Sequence, residues 1–444
     1  MNSLRVLITN NTLDSRAGTE LYVYDVAVAL LERGHKPVAY SNVLGQVATE
    51  LQAAGVPTTD QLDSLSSAPD VIHGHHHLEV MTALTHFPGV PAILFCHSSR
   101  HWEEMPIHFP RIRRYLAMNQ GTYNRVTREH GLSQDRVEWM SNFVDLKRFR
   151  LRSPLPPSPK RAVVFSNYAK EEGYLRVIRA ACEHAELDLD VIGLGVGNPS
   201  SRPWEVLGEY DLVFASGRSA LESLACGTAV IICNTFGLGP MVTAEEVDKL
   251  RTLNFGAMSA VGTSFNVDQV LVQINRYSAE DATEASSRVR SVAGLDATVD
   301  RLLGLYADVI DEQRHTPPSA DEEMRAVATY LRQVSDRVKA SGAVQHEIDV
   351  ARAENLQSRY DYGILLRDSL AIEAQRDIAS AEGYIAGDER DIAAAERDIA
   401  VAERDIVCAE LTAMRETMTW RIGRRLQRVK PLMRIHRLVR RRRT

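Results

Sequence analysis

Cysteine is scarce in this chain and odd in number. There are five in 444 residues, at Cys96, Cys182, Cys226, Cys233 and Cys408, scattered and mostly inside apolar runs. That suits small buried side chains in a reducing compartment better than a disulfide framework or a cysteine metal cage. Long hydrophobic runs are also missing: none approaches the roughly 18 residues of a membrane-spanning helix. The chain leads directly into an apolar strand at Leu4–Ile8, without the long apolar core of a secretory signal, so a cytoplasmic location is expected. Proline is absent from all of 319–419 and acid from all of 420–444. The first absence marks a long helical stretch and the second a segment with an anionic partner of its own.

The length is too great for one core, so two globular domains with additions are expected. The net charge of −6 hides an asymmetry. Residues 420–444 contain eleven Lys or Arg, which leaves −17 on the rest of the chain.

The stretch around which the chain is organised is Tyr210–Cys233, YDLVFASGRSALESLACGTAVIIC. Two short apolar runs, Tyr210–Ala215 and Ala229–Cys233, read as strands. Between them lie Ser216, Gly217, Arg218 and Ser219, then a short helix ended by Gly227. A helix N-terminus just past a strand's C-terminal end binds phosphate, through free N–H groups and the macrodipole. Arg218 adds forked donors at the same place. Glu222, one turn in, is suited to accept from sugar hydroxyls. Ser219-Ala-Leu-Glu222 equally satisfies the capping-box pattern, and from the residues alone the two readings stand side by side.

Elsewhere the order is strand (Val6–Thr9), polar loop (Asn10–Gly18) and an amphipathic helix over Thr19–Arg33 with Leu21, Val26, Val28 and Leu30 buried. Asp70–His77, DVIHGHHH, tempts a zinc reading. Residues along a strand alternate between faces, and no acidic or cysteine ligand completes a set, so no metal is expected. Pro91–Ser99 is an apolar strand ending at His97. Four prolines in Ser153–Lys160 make a stiff linker. GLGVGNP, at Gly193–Pro199, is a weak dinucleotide signal because a polar loop rather than a helix follows. LGPMVT, at Leu238–Thr243, reads as a Gly/Pro turn, and a helix over Thr298–Asp311 closes the second domain.

These motifs resemble those of GT-B-fold glycosyltransferases, especially the retaining glycosyltransferase family 4. Glu222, Ala225, Cys226, Gly227 and Val230 match the family's donor helix, which implies that Glu222 binds the ribose. Asn142, Val144, Asp145 and Phe149 match its Asn-Gly-Val-Asp-x-x-x-Phe motif, with Phe143 in place of Gly. Gly18 and Thr19 align with the cleft-facing loop before the first helix, and His73 and His75 with a strand end lining the cleft. His97 matches a histidine near the reacting sugar. The family's second Glu is replaced by Phe214, and the diphosphate-binding Arg and Lys by Asn167 and Glu172, with Lys170 or Arg218 as substitutes. Arg100–Arg114 matches no pattern and falls where acceptor loops vary.

Beyond Thr316-Pro317-Pro318, Ile378, Ile385, Ile392, Ile399 and Ile406 recur every seven residues, with Ala381, Ala395, Ala402 and Ala409 at d positions. Ile at a and Ala at d favour a slim coiled coil, so self-association through 376–412 is expected; a solvated single helix is the rival. In the tail Trp420, Ile422, Leu426 and Val429 interleave with cations. That pattern favours an anionic membrane surface over nucleic acid.

The resemblance covers roughly residues 4–312 and implies an α/β protein of GT-B architecture, two doubly wound Rossmann-like domains facing a cleft. The expected boundaries are 1–152 (acceptor side), 153–161 (linker), 162–315 (nucleotide-sugar side), 319–419 (coiled-coil stalk) and 420–444 (basic tail). The implied activity is retaining, metal-independent transfer of a sugar from a UDP- or GDP-linked donor to a cell-surface glycan or lipid-linked acceptor at the inner membrane face. His97 and Glu222 are the catalytic candidates. Gly18, Thr19, Lys170, Gly217, Arg218, Ser219 and Glu222 are the donor-binding candidates, with no cofactor and no nucleic-acid partner. The displaced cations leave a second reading, a non-catalytic membrane scaffold.

Overall fold

The computed structural model describes residues 3–99, 101–256, 265–381 and 404. The chain divides into two compact units, Met1–Val338 and Lys339–Thr444. The first unit contains two lobes. The elements of the first lobe are β1 (Arg5–Thr9), α1 (Gly18–Glu32), β2 (Lys36–Tyr40), α2 (Gln46–Ala53), β3 (Thr58–Thr59), β4 (Val71–His75), α3 (His77–His86), β5 (Ala92–Cys96), β6 (Ile112–Ala117), α4 (Gln120–Asn124) and β7 (Val137–Trp139). The second lobe runs through β8 (Arg161–Phe165), α5 (Leu175–His184), β9 (Asp188–Ile192), α6 (Pro203–Val206), β10 (Leu212–Ala215), α7 (Arg218–Ala225), β11 (Ala229–Asn234), β12 (Gly237–Met241), α8 (Val247–Thr252), α9 (Val267–Ile274) and α10 (Ala279–Val292). Helices α11 (Leu295–His315) and α12 (Ala320–Ala381) follow.

The first sheet is parallel throughout, in the order β3-β2-β1-β4-β5-β6-β7. The second has the order β12-β11-β10-β8-β9, with β12 antiparallel at its edge. Central strands such as Val71–His75 and Ala92–Cys96 are buried along their whole length, as parallel strands covered by helices on both faces must be. In each sheet the connections change direction once, between β1 and β4 and between β8 and β10. Ligands of open α/β sheets bind at such points.

Helix α11 returns from the second lobe to the first. Its Leu295, Val299, Leu302 and Tyr306 join the core formed by α1, α2 and one face of the first sheet. Tyr330, near the start of α12, joins the core on the opposite face, with Ala326, Val327 and Val334 packed against it. The two Rossmann-like lobes, tied back in this way, make the GT-B architecture.

Several local expectations change. LGPMVT is not merely a turn: Gly237–Met241 is the edge strand β12. Helix α11 is longer than Thr298–Asp311. On α1 the inward face is led by Tyr22, Val23, Val26 and Leu30, while Leu21 and Val28 are only partly buried. Arg111, in the arginine-rich stretch that matched no pattern, is a core residue at 1% exposure. Its guanidinium is paired with Glu323 of α12 (2.8 and 3.0 Å) and donates to the carbonyls of Leu84, Phe87 and Val90.

In the second unit the described residues continue α12 to Ala381, with Leu356, Tyr360 and Leu365 exposed. Side chains pair along the helix, as in Gln345–Asp349 and Gln357–Asp361. No described helix is long and apolar enough to cross a membrane. Beyond Ala381 the heptad segment lies outside the described residues, apart from Arg404, and so does the whole basic tail 420–444.

Candidate functional site

The turn after β10 is built as its residues require. Gly217 has φ +61° and ψ −133°, a conformation open essentially to glycine alone. It is the N-cap of α7, and no side chain caps this helix. The capping box Ser219–Glu222 therefore does not form. Glu222, 5% exposed, instead accepts from Nε of Arg218 at 2.7 Å.

Arg218 also pairs with Asp25 of α1, which is 2% exposed and takes Arg148 on its other oxygen. Arg148 in turn holds Asp145, and its guanidinium lies over the ring of Trp204 at 5.3 Å. The result is a buried network of alternating charge joining both lobes. Burial by itself would disfavour the Arg218 charge, but Asp25 and Glu222 outweigh it and hold the group firmly protonated. Burial raises the Glu222 carboxyl above its ordinary range, although Arg218 and Arg148 oppose the rise.

These groups line a cavity of about 240 Å³ between the lobes. Asn167, Leu194, Ser200, Trp204, Arg218 and Glu222 contribute from the second lobe, and Ser15, Arg16 and Asp25 from the first. Arg16 pairs with Glu50. The glycine-rich segment after β9 forms one wall by close approach. A Cβ on Gly193 would lie 2.0 Å from the Ser166 carbonyl oxygen, and one on Gly195 2.0 Å from that of Ala169. Leu194 N–H donates to Asn167 Oδ1 at 3.2 Å. The glycines thus serve backbone packing rather than a dinucleotide fingerprint.

The other candidates fall into four places. Gly217 and Ser219 flank Arg218 at the turn, partly buried. Lys170 is exposed on the loop after β8 and is not among the residues lining the cavity. Gly18 opens α1, and Thr19 Oγ1 donates to Glu20 at 3.0 Å. His97 follows β5, in a cluster of its own.

That cluster corrects the reading of the histidine run. Residues two apart on a strand share a face, and His73 and His75 stack with ring centroids 4.8 Å apart. Both are fully buried rather than lining an open cleft. His75 Nδ1 lies 2.6 Å from His97 Nε2, and His73 Nδ1 meets the Tyr306 hydroxyl. His76 leaves the column at φ +62°, with Nε2 3.4 Å from Glu104. His77 meets the Tyr330 hydroxyl at 2.9 Å. Among the described residues no group of three His, Cys, Asp or Glu is arranged to hold a metal ion. Burial pushes His73 down to about 3 and His97 to about 4. Tyr22 connects the cluster to the cavity: its ring packs on His97 at 5.2 Å and on Phe143 at 4.7 Å, and Arg218 lies over Phe143 at 5.8 Å.

Asp25, Arg148, Tyr22 and Glu104 are the groups that sequence reasoning missed. Asp25 stood three residues from Tyr22, on the inward face of an amphipathic helix, where an unexplained acid is a signal. Arg148 lay inside the matched motif at one of its unspecified positions.

No family model matches the chain, and no curated protein matches it. Solved structures do match. A glycosyltransferase from Rickettsia africae is 12% identical with a TM-score of 0.51, over 70% of this chain and 99% of its own. HepE of Anabaena, solved with UDP, is 13% identical with a TM-score of 0.51, over 69% of this chain and all of its own. The same protein solved with UDP-glucose gives 13% and 0.50. At such identity the likeness establishes the GT-B fold.

Proposed function

We propose that the chain transfers a sugar from a UDP- or GDP-linked donor to a glycan or lipid-linked acceptor. The observation that carries this reading is the interlobe cavity, which gathers Arg218, Glu222, Asn167 and Trp204 at the second sheet's topological switch. HepE, a protein of the same fold, was solved with UDP-glucose.

In this reading the diphosphate lies on the Gly217–Ser219 turn, with Arg218 stabilising the leaving charge, so that electrostatics replace a metal. Glu222 accepts from the ribose hydroxyls, and Leu194 and Trp204 supply apolar wall for the base. Lys170 reaches the phosphates from its exposed loop, and Gly18 and Thr19 border the sugar from the first lobe. His97 faces the transferred sugar, and transfer proceeds with retention. Residues 420–444 hold the enzyme on the inner face of an anionic membrane and 376–412 associate it with a second copy.

Screening UDP, UDP-glucose, GDP and GDP-mannose for thermal stabilisation tests the core of this. A ligand at 100 times its dissociation constant adds about 2.7 kcal/mol. One observation favours the scaffold reading: Arg218 is already occupied by Asp25 and Glu222. A chain that no nucleotide stabilises is the scaffold.

A further inference from the structure

Strands β4 and β5 run in parallel register with His75 opposite Phe95, which sets His97 beside the end of β4. His75 Nδ1 and His97 Nε2, 2.6 Å apart, share one hydrogen. Two neutral arrangements exist. Either His97 donates from Nε2, or His75 donates from Nδ1.

The rest of His75 decides between them. Its Nε2 is buried and has no hydrogen-bond partner. The ring is enclosed by His73 at 4.8 Å, Phe95 at 5.1 Å and the edge of Tyr22 at 5.2 Å. The Tyr22 hydroxyl does not serve as its acceptor: it too is buried and makes no hydrogen bond. If His97 donated, neutral His75 would carry its hydrogen on Nε2, as an orphaned buried N–H. Orphaned buried N–H donors are rare in folded proteins, and rarer than under-satisfied acceptors. If His75 donates, Nε2 is only a bare lone pair. His73 repeats the pattern, its Nδ1 engaged by Tyr306 and its buried Nε2 unpartnered.

We propose that His75 is a positioning residue that donates its Nδ1–H to His97 Nε2 and thereby fixes His97 as the tautomer with hydrogen on Nδ1. His97, only partly buried, then meets a ligand as a hydrogen-bond donor, suited to the lone pair of a sugar hydroxyl or ring oxygen, and is not poised as a general base. Glu104 completes the setting by accepting from the His97 peptide N–H at 2.9 Å. The nature of the ligand oxygen rests on the sugar-transfer reading; the tautomer does not.

The test is long-range ¹⁵N–¹H correlation on the ligand-free full chain labelled with [¹⁵N]histidine, with His97 assigned by the signals lost in His97→Gln. The expected spectrum shows His97 Nδ1 as the protonated, pyrrole-type nitrogen and Nε2 as the pyridine-type nitrogen. In His75→Phe the pattern should switch to the Nε2–H form that free imidazole side chains favour. In His75→Asn, whose amide supplies a donor near the place of Nδ1, the native pattern should return. An Nε2-protonated His97 in the native chain overturns the proposal even if His75→Phe does not fold, as does a native pattern that survives in a folded His75→Phe. Because no nucleotide is present, neither result can be confused with failure of the nucleotide-sugar reading.

Discussion

Asp25 and Arg218, 193 residues apart in the chain, form a buried ion pair that joins α1 of the first lobe to the first turn of α7 in the second. The cation proposed to receive a diphosphate is therefore held by a carboxylate from the opposite lobe, and on that proposal a donor phosphate must compete with Asp25 for it.

Asp25→Ala removes the competitor. UDP should bind about tenfold more tightly, in keeping with a charge-assisted contact of about 1.5–3 kcal/mol, while uridine affinity stays unchanged. The unliganded protein should lose roughly 3–5 kcal/mol, because Arg218 and Arg148 lose a buried partner. Calorimetric titration of UDP against uridine decides the matter. Weaker binding of both would mean that Asp25 supports the pocket rather than competes for Arg218.

Glu222→Ala gives the complementary result. Since Glu222 does not cap α7, any loss of stability comes from unpairing Arg218, not from fraying the helix. Uridine and UDP should both weaken, by about 1.5–3 kcal/mol for a hydrogen bond to a charged group, and Glu222→Gln should recover part of the loss. A variant that binds UDP normally at a lower melting temperature would confine Glu222 to the ion-pair network.

Stability should fall on mild acidification. Burial holds His77 and His97 at about 4, His73 at about 3 and His75 well below its ordinary value. In the unfolded chain these groups take up protons as pH drops below 6.5, whereas in the folded chain they do so only near their depressed values. Their contribution is thus complete above pH 6.5 and is lost as pH falls through the window beneath it. For His77 alone the loss by pH 5 is about 2 kcal/mol. His76 has the opposite sign: burial lowers it, but Glu104 and its neighbours raise it overall, so its contribution is present below pH 6.5 and fades as pH rises through the raised value. His35 and His130, also lowered by burial, act with these four, while Glu79 and Glu222, raised by burial, act with His76 in the opposite sense. Six groups against three should lower the melting temperature between about pH 7.5 and pH 5. His77→Asn should flatten the slope, and an unchanged slope would refute the assignment.

The two sheets were legible because parallel strands buried on both faces read as continuous apolar runs, and the β10–α7 turn because Gly217-Arg218-Ser219 sits between two of them. What was illegible is non-local. Arg111 looked like one more cation in an arginine-rich stretch, and only the return of α12 buries it against Glu323. The histidine run looked like an unfinished metal site, yet His97 and Tyr306, from distant segments, make it a stacked column. The failed capping box at Ser219–Glu222 is by contrast a local matter: Gly217 is the N-cap, so Ser219 lies inside α7, and Glu222 takes Arg218, four residues earlier on the same helix, in place of a backbone N–H.

The start of α12 belongs energetically to the first lobe. Glu323 neutralises buried Arg111, and Tyr330 meets His77, which packs against Trp102 at 4.6 Å. Ending the chain after Thr316 should cost about 3–5 kcal/mol by stranding the Arg111 charge. Ending it after Val338 should leave the melting temperature unchanged. Equal melting of the two truncations would show that Arg111 finds water or another acid once α12 is gone.

The tail combines charge with apolar side chains. Its eleven cations, with no acid among them, can each gain about 1 kcal/mol near an anionic bilayer, though not all can face it at once. Trp420 and the interleaved Leu, Ile and Val residues add apolar insertion, which salt does not screen. Removing residues 419–444 should release the protein from anionic liposomes and leave the melting temperature of the remainder as it was. High salt should detach the full chain only in part, because the apolar contribution survives screening. Complete detachment at high salt would mean that the tail binds by charge alone. A full chain that ignores anionic liposomes at low salt, or that binds them equally well without its tail, would remove the membrane from the proposed function.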